Sequence, residues 1–559
     1  MKNRGLYRFN HISTAILAVC MTILCGCNQT DETPPEKISA TRPEKPPNIL
    51  LIVADDLGYS DLSVLGSEIP TPNIDSLAEN GMMLTQFYAN MACSPTRAML
   101  FSGTDSHLAG LAVMNPPDNP AQKGQPGYEA YLNFRVASLA KLLHDAGYHT
   151  YMTGKWHLGA EVETGPAARG FEHSFVSIDG ASHLGGLSWN GPGMAPYRDG
   201  TEMVTVGEDF YTTRFYTERM IEYIDGNLGD GKPFFAYLAY TAPHWPLQAP
   251  SESIERFKSW YDEGYEVLYQ RRLERMKVLG LVAPDFTGKP RIAGQPAWED
   301  LSPDEQRIEA RKMEIYAAMV SDLDTYIGRF FDYLRAIGEF DNTFIFFMSD
   351  NGPEASRRDL VSPIKEWVQT CCDNSYENLG KGNSYVMYGP NWARAGDVPF
   401  RRAKATAFEG GTHVPAMVQY KGTVPAGVRS DGYSTVMDIL PTLLELAGTR
   451  HPGDSYRGRP VLPVRGESLL PMLTGQVPGI HDPDEYTGWE LYGHRAIRKG
   501  DWKIVWDPSE GENATWHLFN LAQDQAEQID LGSQEPERLR SMQALWEEYQ
   551  SENGVILTQ

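Results

Sequence analysis

Four predicted strands, each followed closely by charged or polar residues, most constrain how this chain can fold. They are residues 47–53 before Asp55 and Asp56, 149–153 before Lys155 and His157, 233–240 before His244, and 342–348 before Asp350 and Asn351. The first, third and fourth of these contain continuous apolar runs, which predict strands buried on both faces, and 149–153 is predicted as a short strand. Open α/β sheets place ligands beyond the carboxyl ends of their strands. We therefore predict an α/β fold with a site at one edge of its sheet.

Helical patterns fill much of the chain between these runs. Residues 135–146 have apolar side chains at helical spacing and stop at Gly147, and residues 313–334 keep a helical period up to Gly338. Residues 251–309 are charged and are interpreted as surface helices. Residues 380–403 are rich in Gly, Asn and Tyr and predict a long loop that runs to Lys404.

The pattern changes after about residue 453. Residues 494–498, 502–506 and 515–519 resemble short strands of an antiparallel sheet, and residues 542–549 resemble a final helix. We expect a catalytic domain over residues 47–452 and a smaller C-terminal domain over residues 453–559.

The pentapeptide Cys-Ser-Pro-Thr-Arg at positions 93–97 opens an apolar helical run. Proline is tolerated in the first turn of a helix, so the pattern places Cys93 at a helix N-terminus, where backbone N–H groups favour anions. Arg97 lies four residues on and could share the same face. A buried cysteine before an ordinary helix is the alternative interpretation.

The polar groups after the strands suit a hard cation and a small oxyanion. Asp55, Asp56, Asp350 and Asn351 offer the oxygen ligands that Ca²⁺ or Mg²⁺ prefers, and no His and Cys cluster with zinc spacing occurs in the sequence. A cationic set suits an oxyanion with developing charge. That set is Arg97, Lys155, His157 and His244. Taken singly, the aspartates could form a turn and the histidines could be structural.

Residues 92–105 resemble the signature of the sulfatases, in which the cysteine becomes formylglycine. From Pro47 almost to its end the chain is similar to type I arylsulfatases of the alkaline-phosphatase superfamily. Four further stretches carry the resemblance: Val-Ala-Asp-Asp-Leu-Gly at 53–58, Gly-Lys-Trp-His-Leu-Gly at 154–159, Ala-Pro-His-Trp-Pro-Leu-Gln-Ala-Pro at 242–250 and Met-Ser-Asp-Asn-Gly at 348–352. It implies a large mixed sheet flanked by helices, with a smaller C-terminal domain built on an antiparallel sheet and a helix.

The resemblance also implies a role for each site residue. One Ca²⁺ would be bound by Asp55, Asp56, Asp350 and Asn351, with the formylglycine made from Cys93 completing its sphere. Lys155, His244 and Lys404 would hold the sulfate and assist the leaving oxygen, Arg97 would hold the aldehyde hydrate, and His157 would serve its breakdown. One hydroxyl of the hydrate would attack sulfur, and the second would then lose its proton so that sulfate leaves and the aldehyde reforms.

The sequence is consistent with three alternative functions. The first is calcium-dependent hydrolysis of sulfate monoesters, such as an aryl sulfate, by formylglycine at position 93. The second is a phosphodiesterase or phosphonate monoester hydrolase of the same superfamily. The third is a catalytically inactive lipoprotein that binds sulfated ligands. The natural substrate could be an aryl, sterol or carbohydrate sulfate, and an enzyme that generates formylglycine is an expected partner.

The formal charge is −24, from 49 basic and 73 acidic residues, so nothing resembles a basic nucleic-acid footprint and we expect no nucleic-acid partner. An anionic substrate must therefore be attracted by a local basic pocket.

Residues 1–27 resemble a lipoprotein signal, with a basic start, a short apolar core and Leu-Cys-Gly-Cys at 24–27. This pattern predicts a lipid on Cys27, a flexible tether over residues 28–46 and a location in a bacterial cell envelope, on its periplasmic side or outer membrane. An ordinary secretory signal or an uncleaved anchor is the alternative. Cys371 and Cys372 are expected to be free thiols, with a vicinal bridge as the alternative.

Overall fold

A mixed sheet of ten strands carries the polar residues singled out above. The fold is seen in a computed structural model that describes residues 46–180, 183–185, 187–188, 191, 193–207 and 209–557. The expected signal segment at 1–27 and residues 28–45 of the expected tether lie outside the described residues. Within the described part, no helix has the length and apolar character needed to cross a membrane.

The strands are short at the sheet edges and longer at its centre. In chain order they are β1 (Asn48–Ala54), β2 (Met82–Leu84), β3 (Phe87–Tyr88), β4 (His149–Lys155), β5 (His173–Ser177), β6 (Tyr197–Asp199), β7 (Glu202–Val204), β8 (Phe234–Ala239), β9 (Thr343–Ser349), β10 (Ala416–Gln419), β11 (Val428–Ser430), β12 (Ser434–Thr435), β13 (Ser455–Tyr456), β14 (Arg459–Pro460), β15 (Tyr486–Leu491), β16 (His494–Lys499), β17 (Trp502–Trp506) and β18 (Trp516–Asn520).

The helices cover both faces of the large sheet and one face of a smaller one. In chain order they are α1 (Pro72–Glu79), α2 (Cys93–Ser102), α3 (Ser106–Ala109), α4 (Leu139–Asp145), α5 (Thr212–Asp225), α6 (Ser251–Glu255), α7 (Tyr265–Val278), α8 (Pro303–Ala336), α9 (Ile364–Cys371), α10 (Pro390–Gly396), α11 (Glu409–Thr412), α12 (Ile439–Leu446), α13 (Leu470–Leu473) and α14 (Pro536–Asn553).

The large sheet has the order β11-β2-β10-β9-β1-β8-β4-β5-β6-β7. Its central strands β9, β1, β8, β4 and β5 are mutually parallel, so their carboxyl ends lie at one edge. Alternate residues of β1 enter different apolar cores, with Leu50 and Ile52 on one face and Ile49 and Leu51 on the other. The prediction of α/β architecture with doubly buried strands is confirmed.

Two helical segments differ from the sequence patterns for local reasons. Helix α4 begins at Leu139 and not at 135, because Arg169 Nη2 donates to the carbonyl oxygens of residues 133 and 136 and holds that backbone outside the helix. The expected loop 380–403 contains α10, in which Pro390 occupies the first turn. Trp392 of α10 is fully buried and packs against Tyr265 and Trp298, and this contact stabilises a helix too short to show a period.

The C-terminal region contains the antiparallel sheet β15-β16-β17-β18, with α14 packed on it. Strand β15 was not expected from the sequence because Gly488 interrupts its pattern. The glycine is required there, since a Cβ at 488 would lie 2.4 Å from the Tyr549 ring of α14. The domain boundary at residue 453 stays a prediction.

The expectation of free thiols at Cys371 and Cys372 is wrong, because the structure joins them in a disulfide. Helix α9 ends at Cys371, and the following Cys372 is extended, with φ of −129° and ψ of 142°. This change of backbone direction brings the adjacent side chains together.

Candidate active site

The candidate site lies at the carboxyl edge of four adjacent parallel strands. Asp350 and Asn351 follow β9, and Asp55 and Asp56 follow β1. Lys155 is the last residue of β4, and the turn after β8 leads to His244. Because these strands are neighbours in the sheet, side chains far apart in the sequence lie close together.

Cys93 is the first residue of α2 and is almost fully buried. The backbone at Ala92 is extended, and Thr96 Oγ1 accepts a hydrogen bond from the backbone N–H of Asn90, which orients the start of the helix. The Sγ atom of Cys93 lies 3.3 Å from Oδ1 of Asp55 and 3.8 Å from Oδ1 of Asp56. The helix start therefore presents position 93 to the carboxylates that follow β1.

Arg97 lies one helical turn after Cys93 and is completely buried. Its Nε and Nη2 atoms donate to Oδ2 of Asp350 at 3.0 and 2.7 Å. Its Nη1 atom donates to the Lys155 carbonyl at 2.9 Å and to the Tyr237 hydroxyl at 3.2 Å. Arg97 thus connects β4, β8 and the residue that follows β9.

Two buried lysines face the paired aspartates. Lys155 Nζ lies 2.9 and 2.7 Å from the two carboxylate oxygens of Asp55. Lys404 Nζ lies 2.7 and 2.9 Å from those of Asp56. Burial raises the pKa of Asp55, but Lys155 and other nearby cations hold that pKa below its usual range. Burial raises the pKa of Asp56 to about 7 although Lys404 opposes it.

The loop before α11 positions Lys404 through its backbone. The Lys404 N–H donates to the Pro353 carbonyl at 3.1 Å, and the Ala405 N–H donates to the Met91 carbonyl at 2.7 Å. Ala405 has φ of 64°, a left-handed conformation that costs free energy for alanine. These bonds connect the loop to the segments on either side of the site.

Asn351 supplies the clearest sign of a cation site. Its Nδ2 atom donates to Oδ1 of Asp56 and to the Gly352 carbonyl, at 2.7 and 2.8 Å. Its Oδ1 atom is buried and has no hydrogen-bond partner in the described part of the chain. Donor atoms of Asp55, Asp56, Cys93 and His244 lie within 4.8 Å of one another. An unpaired amide oxygen beside several carboxylates fits a hard divalent cation.

The two histidines differ in their surroundings. His244 stacks on Trp245, its Nδ1 lies 2.5 Å from the Trp245 carbonyl, and its Nε2 lies 3.5 Å from Oδ2 of Asp56. His157 has φ of 54°, and its Nδ1 has no hydrogen-bond partner within the described ranges. Burial lowers the pKa of both rings well below the usual range. Both imidazoles are therefore neutral near pH 7 without a bound anion.

Three residues contribute to the site that sequence patterns missed. Tyr237 lies inside β8 and contacts Arg97, and His183 Nε2 lies 2.7 Å from the His244 carbonyl. Glu354 Oε2 lies 3.7 Å from Lys404 Nζ. A carboxylate only three positions after Asn351 was a signal for Glu354. The sequence contained no signal for the other two residues. Tyr237 lies within an apolar strand pattern, and His183 contacts the site through the backbone carbonyl of His244.

The arrangement can bind a small oxyanion next to a nucleophile. Position 93 lies at a helix N-terminus, with Lys155 and Lys404 on either side of the paired aspartates and His244 beside Asp56. Buried cations stabilise negative charge that develops during a transfer reaction, because little water competes with them. The geometry suits attack on a tetrahedral group that carries one negative charge.

Comparisons with known proteins agree with this chemistry. A family model described as Sulfatase matches residues 47–449. An uncharacterised sulfatase of Schizosaccharomyces pombe is 43% identical over 532 residues, which cover 92% of this chain and 95% of the relative. An arylsulfatase of Klebsiella aerogenes is 39% identical over 430 residues, which cover 76% of this chain and 91% of the relative. The crystal structure of Ps i-CgsB in complex with k-i-k-neocarrahexaose aligns with a TM-score of 0.64 and 25% identity, over 91% of this chain and 94% of that one.

Proposed function

The chain belongs to the sulfatase family, and on that premise we propose that it is an arylsulfatase that hydrolyses sulfate monoesters at position 93. The observation that carries the proposal is the placement of Cys93 at the start of α2, 3.3 Å from Asp55 and beside two buried lysines. The reaction would release an alcohol or phenol and inorganic sulfate.

We propose that a maturation enzyme oxidises Cys93 to formylglycine: the Cβ–S bond is replaced by a C=O bond, the sulfur leaves as sulfide, and two electrons pass to an oxidant that the enzyme supplies. Burial and the nearby Asp350 raise the pKa of the thiol well above its ordinary value, so an unmodified Cys93 is a weak nucleophile. In the hydrate of formylglycine, hydroxyl oxygens are attached to Cβ of residue 93, where cysteine carries its sulfur. Oxygen is also the better ligand for a hard cation next to Asp55 and Asp56.

The residues present fit one Ca²⁺, which would be held by Asp55, Asp56, Asp350, Asn351 and the oxygen of modified position 93. When bound, the ion supplies positive charge that lowers the pKa of the nucleophilic hydroxyl and stabilises negative charge on the sulfate group. Arg97 holds Asp350 in place through its two donors and fixes the orientation of that ligand.

The lysines and histidines perform the remaining steps. Lys155 and Lys404 bind the sulfate oxygens through their Nζ atoms. The Trp245 carbonyl accepts from Nδ1 of His244, so Nε2 carries a proton only when the ring is charged. An anionic ester beside Nε2 favours the charged ring, which then protonates the leaving oxygen. The neutral His157 accepts the proton that is released when the aldehyde is restored.

Substrate selectivity tests this function directly. We expect kcat/KM to be highest for 4-nitrophenyl sulfate, lower for a phosphodiester and lowest for a phosphate monoester, because one divalent cation and two lysines suit a singly charged group. All three esters are measured on one preparation whose position 93 has been analysed by peptide mass spectrometry. A preferred diester would favour a phosphodiesterase, and full activity with an unmodified thiol would exclude the formylglycine mechanism.

The natural substrate is proposed to be a sulfated small molecule or saccharide. A panel of aryl, sterol and carbohydrate sulfates identifies the class by comparison of kcat/KM. Absence of hydrolysis on modified protein that still binds these compounds would favour the binding-lipoprotein alternative.

We also propose a lipid anchor at Cys27 and a location in a bacterial cell envelope. The basic start, short apolar core and Leu-Cys-Gly-Cys at 24–27 support this proposal. Replacement of Cys27 by Ala should move the protein from the membrane fraction to the soluble fraction. Replacement of Cys25 by Ala is the matched control, and equal membrane retention of both variants would contradict the anchor.

A further inference from the structure

A basic cavity of about 440 Å³ lies next to the loop that carries Lys404. Five cationic residues line it, and no carboxylate side chain is among its described lining residues. The cations are Lys289, Arg291, Arg394, Arg401 and Arg402. This concentration of positive charge is unusual in a chain with a formal charge of −24. It marks a local site for an anion against an acidic background.

Most of these cations lack a carboxylate partner. Arg402 forms an ion pair with Asp507, whereas Arg401 Nη1 donates to the main-chain carbonyl of Glu527 at 2.7 Å. Lys289 and Arg291 are exposed and form no ion pair with the described residues. The positive charge of the cavity is therefore only partly compensated, by Asp507 beside Arg402 and by Glu527 and Asp397 beyond ion-pair distance of Arg401 and Arg394.

Arg394 gives independent support because it is 6% exposed. Its Nε atom donates to the Lys289 carbonyl and its Nη2 atom to the Tyr269 hydroxyl, both at 3.0 Å. Its Nη1 atom has no hydrogen-bond partner within the described ranges. Burial lowers the pKa of both Arg394 and Arg401. The hydrogen bonds of this buried guanidinium go only to neutral groups, and Asp397 acts on it from beyond ion-pair distance, so an anion in the cavity would still stabilise its charge.

We propose that this cavity binds a sulfate group, either of free inorganic sulfate or of a second ester on an extended substrate. Guanidinium groups bind such oxyanions through paired N–H donors, and the volume also accommodates part of a sugar. Arg401 and Arg402 precede Lys404 by only a few positions, so the bound group contacts the loop that forms the active site. Only the second source depends on the proposed function.

Replacement of Lys289 and Arg291 by Gln tests the cavity without disturbing the core, because both side chains are exposed. The matched control replaces Lys123 and Arg450 by Gln, since both are exposed cations that do not line the cavity. Each double variant removes two positive charges, so a general effect of net charge appears equally in both. Neither pair belongs to the catalytic machinery, and activity on 4-nitrophenyl sulfate should persist in both.

Calorimetric titration of the full chain, at constant ionic strength, measures binding of sodium sulfate and of a sulfated dextran oligosaccharide. We expect binding to the cavity variant to be about tenfold weaker than to the control, which corresponds to about 1.4 kcal/mol of binding free energy. Weaker binding of both probes identifies free sulfate as a ligand. Weaker binding of the oligosaccharide alone identifies a second ester. Equal affinities of the two variants, for both probes, would overturn the proposal.

The titration tests the proposed sulfate site and the activity assay tests the proposed function, so each proposal can be contradicted without the other. If no preparation hydrolyses 4-nitrophenyl sulfate but the cavity variant still binds a probe more weakly than the control, the sulfate site stands and the proposed function is wrong. If hydrolysis is intact and the two variants bind both probes equally, the proposed function stands and the proposed sulfate site is wrong.

Discussion

Lys404 Nζ lies 2.7 Å from Oδ1 of Asp56, although 348 positions separate the two residues in the chain. The contact joins the loop before α11 to the end of β1. It places a second buried cation next to the carboxylates, in addition to Lys155, which pairs with Asp55. This relationship makes Lys404 a component of the site, which its loop sequence alone indicated only weakly.

Replacement of Lys404 by Ala should lower kcat/KM for 4-nitrophenyl sulfate about 100-fold, because the variant lacks one of the two lysines proposed to donate to the sulfate oxygens. Replacement of Lys421 by Ala, which removes an exposed lysine paired with Asp341, is the control and should retain activity. Steady-state kinetics with circular dichroism distinguishes loss of chemistry from loss of fold. Near-normal kcat/KM in the Lys404 variant would remove this residue from the mechanism.

Replacement of Cys93 by Ala should reduce activity at least about 1000-fold, because the proposed formylglycine nucleophile cannot form from alanine. Replacement of Ser94 by Ala should be tolerated, since Ser94 Oγ has no hydrogen-bond partner in the described part of the chain. Both variants are assayed with 4-nitrophenyl sulfate, and peptide mass spectrometry reports the occupancy of the aldehyde in the Ser94 variant. Substantial turnover without Cys93 would place the nucleophile elsewhere.

If Asp350 is a ligand of the proposed Ca²⁺, its replacement by Asn should weaken Ca²⁺ binding at least about tenfold, because one charged ligand is then lost and Arg97 is left without its carboxylate partner. The control is Asp341→Asn, which changes an exposed carboxylate. Calcium content after dialysis, measured by elemental analysis, gives a result that does not depend on activity. Stoichiometric zinc with no calcium in the wild-type protein would contradict the assignment of the ion.

The pH dependence of stability should depend on His107. Its ring nitrogens lie 3.0 Å from Asp105 and 3.0 Å from Glu490. Burial lowers its pKa, but these carboxylates raise it to about 9. The pKa of His107 in the folded state exceeds the unfolded value of about 6.5. The stabilisation that its charged ring gives to the folded state is therefore complete below pH 6.5 and is lost as pH rises through 9.

We expect deprotonation of His107 to lower the wild-type free energy of unfolding by about 3 kcal/mol between pH 6.5 and 9.5. Denaturant unfolding of His107→Gln should show a smaller fall over that interval. His144→Gln is the control, since His144 is 38% exposed in its side chain. Identical pH profiles for wild type and His107→Gln would exclude this linkage.

A buried ion cluster connects the C-terminal sheet to the helix that follows the Lys404 loop. Lys503 of β17 lies 2.7 Å from Glu409 and 3.1 Å from Glu527. Replacement of Lys503 by Met should destabilise the protein by about 3–5 kcal/mol, because two buried carboxylates lose their cation. Denaturant unfolding measures the loss, and Lys499→Met, which changes a partly exposed lysine, is the control.

The double variant Lys503→Met with Glu527→Gln should recover part of this stability, because one uncompensated carboxylate is removed. Burial raises the pKa of Glu527 to about 7, so this is the carboxylate that loses its charge more readily. A double variant less stable than Lys503→Met alone would show that Glu527 is required for another contact.

The sequence by itself determined the central strands and the residues at their carboxyl ends. Long apolar runs must be buried on both faces, so β1, β8 and β9 were predictable from local composition. The helix start at Cys93 followed from the proline in its first turn. The same local reasoning gave no signal for β15, because its pattern is broken by a glycine that only the packing of Tyr549 explains.

Only the tertiary structure decided which polar groups meet. Strand order places β9, β1, β8 and β4 side by side, and this order depends on long-range packing that no local pattern contains. Tyr237 and His183 became visible as site residues only through their contacts with Arg97 and with the His244 carbonyl. Likewise, the basic cavity joins Lys289 to Arg401 across more than a hundred positions, and charges that are distant in the chain cannot reveal a shared cavity until the backbone brings them together.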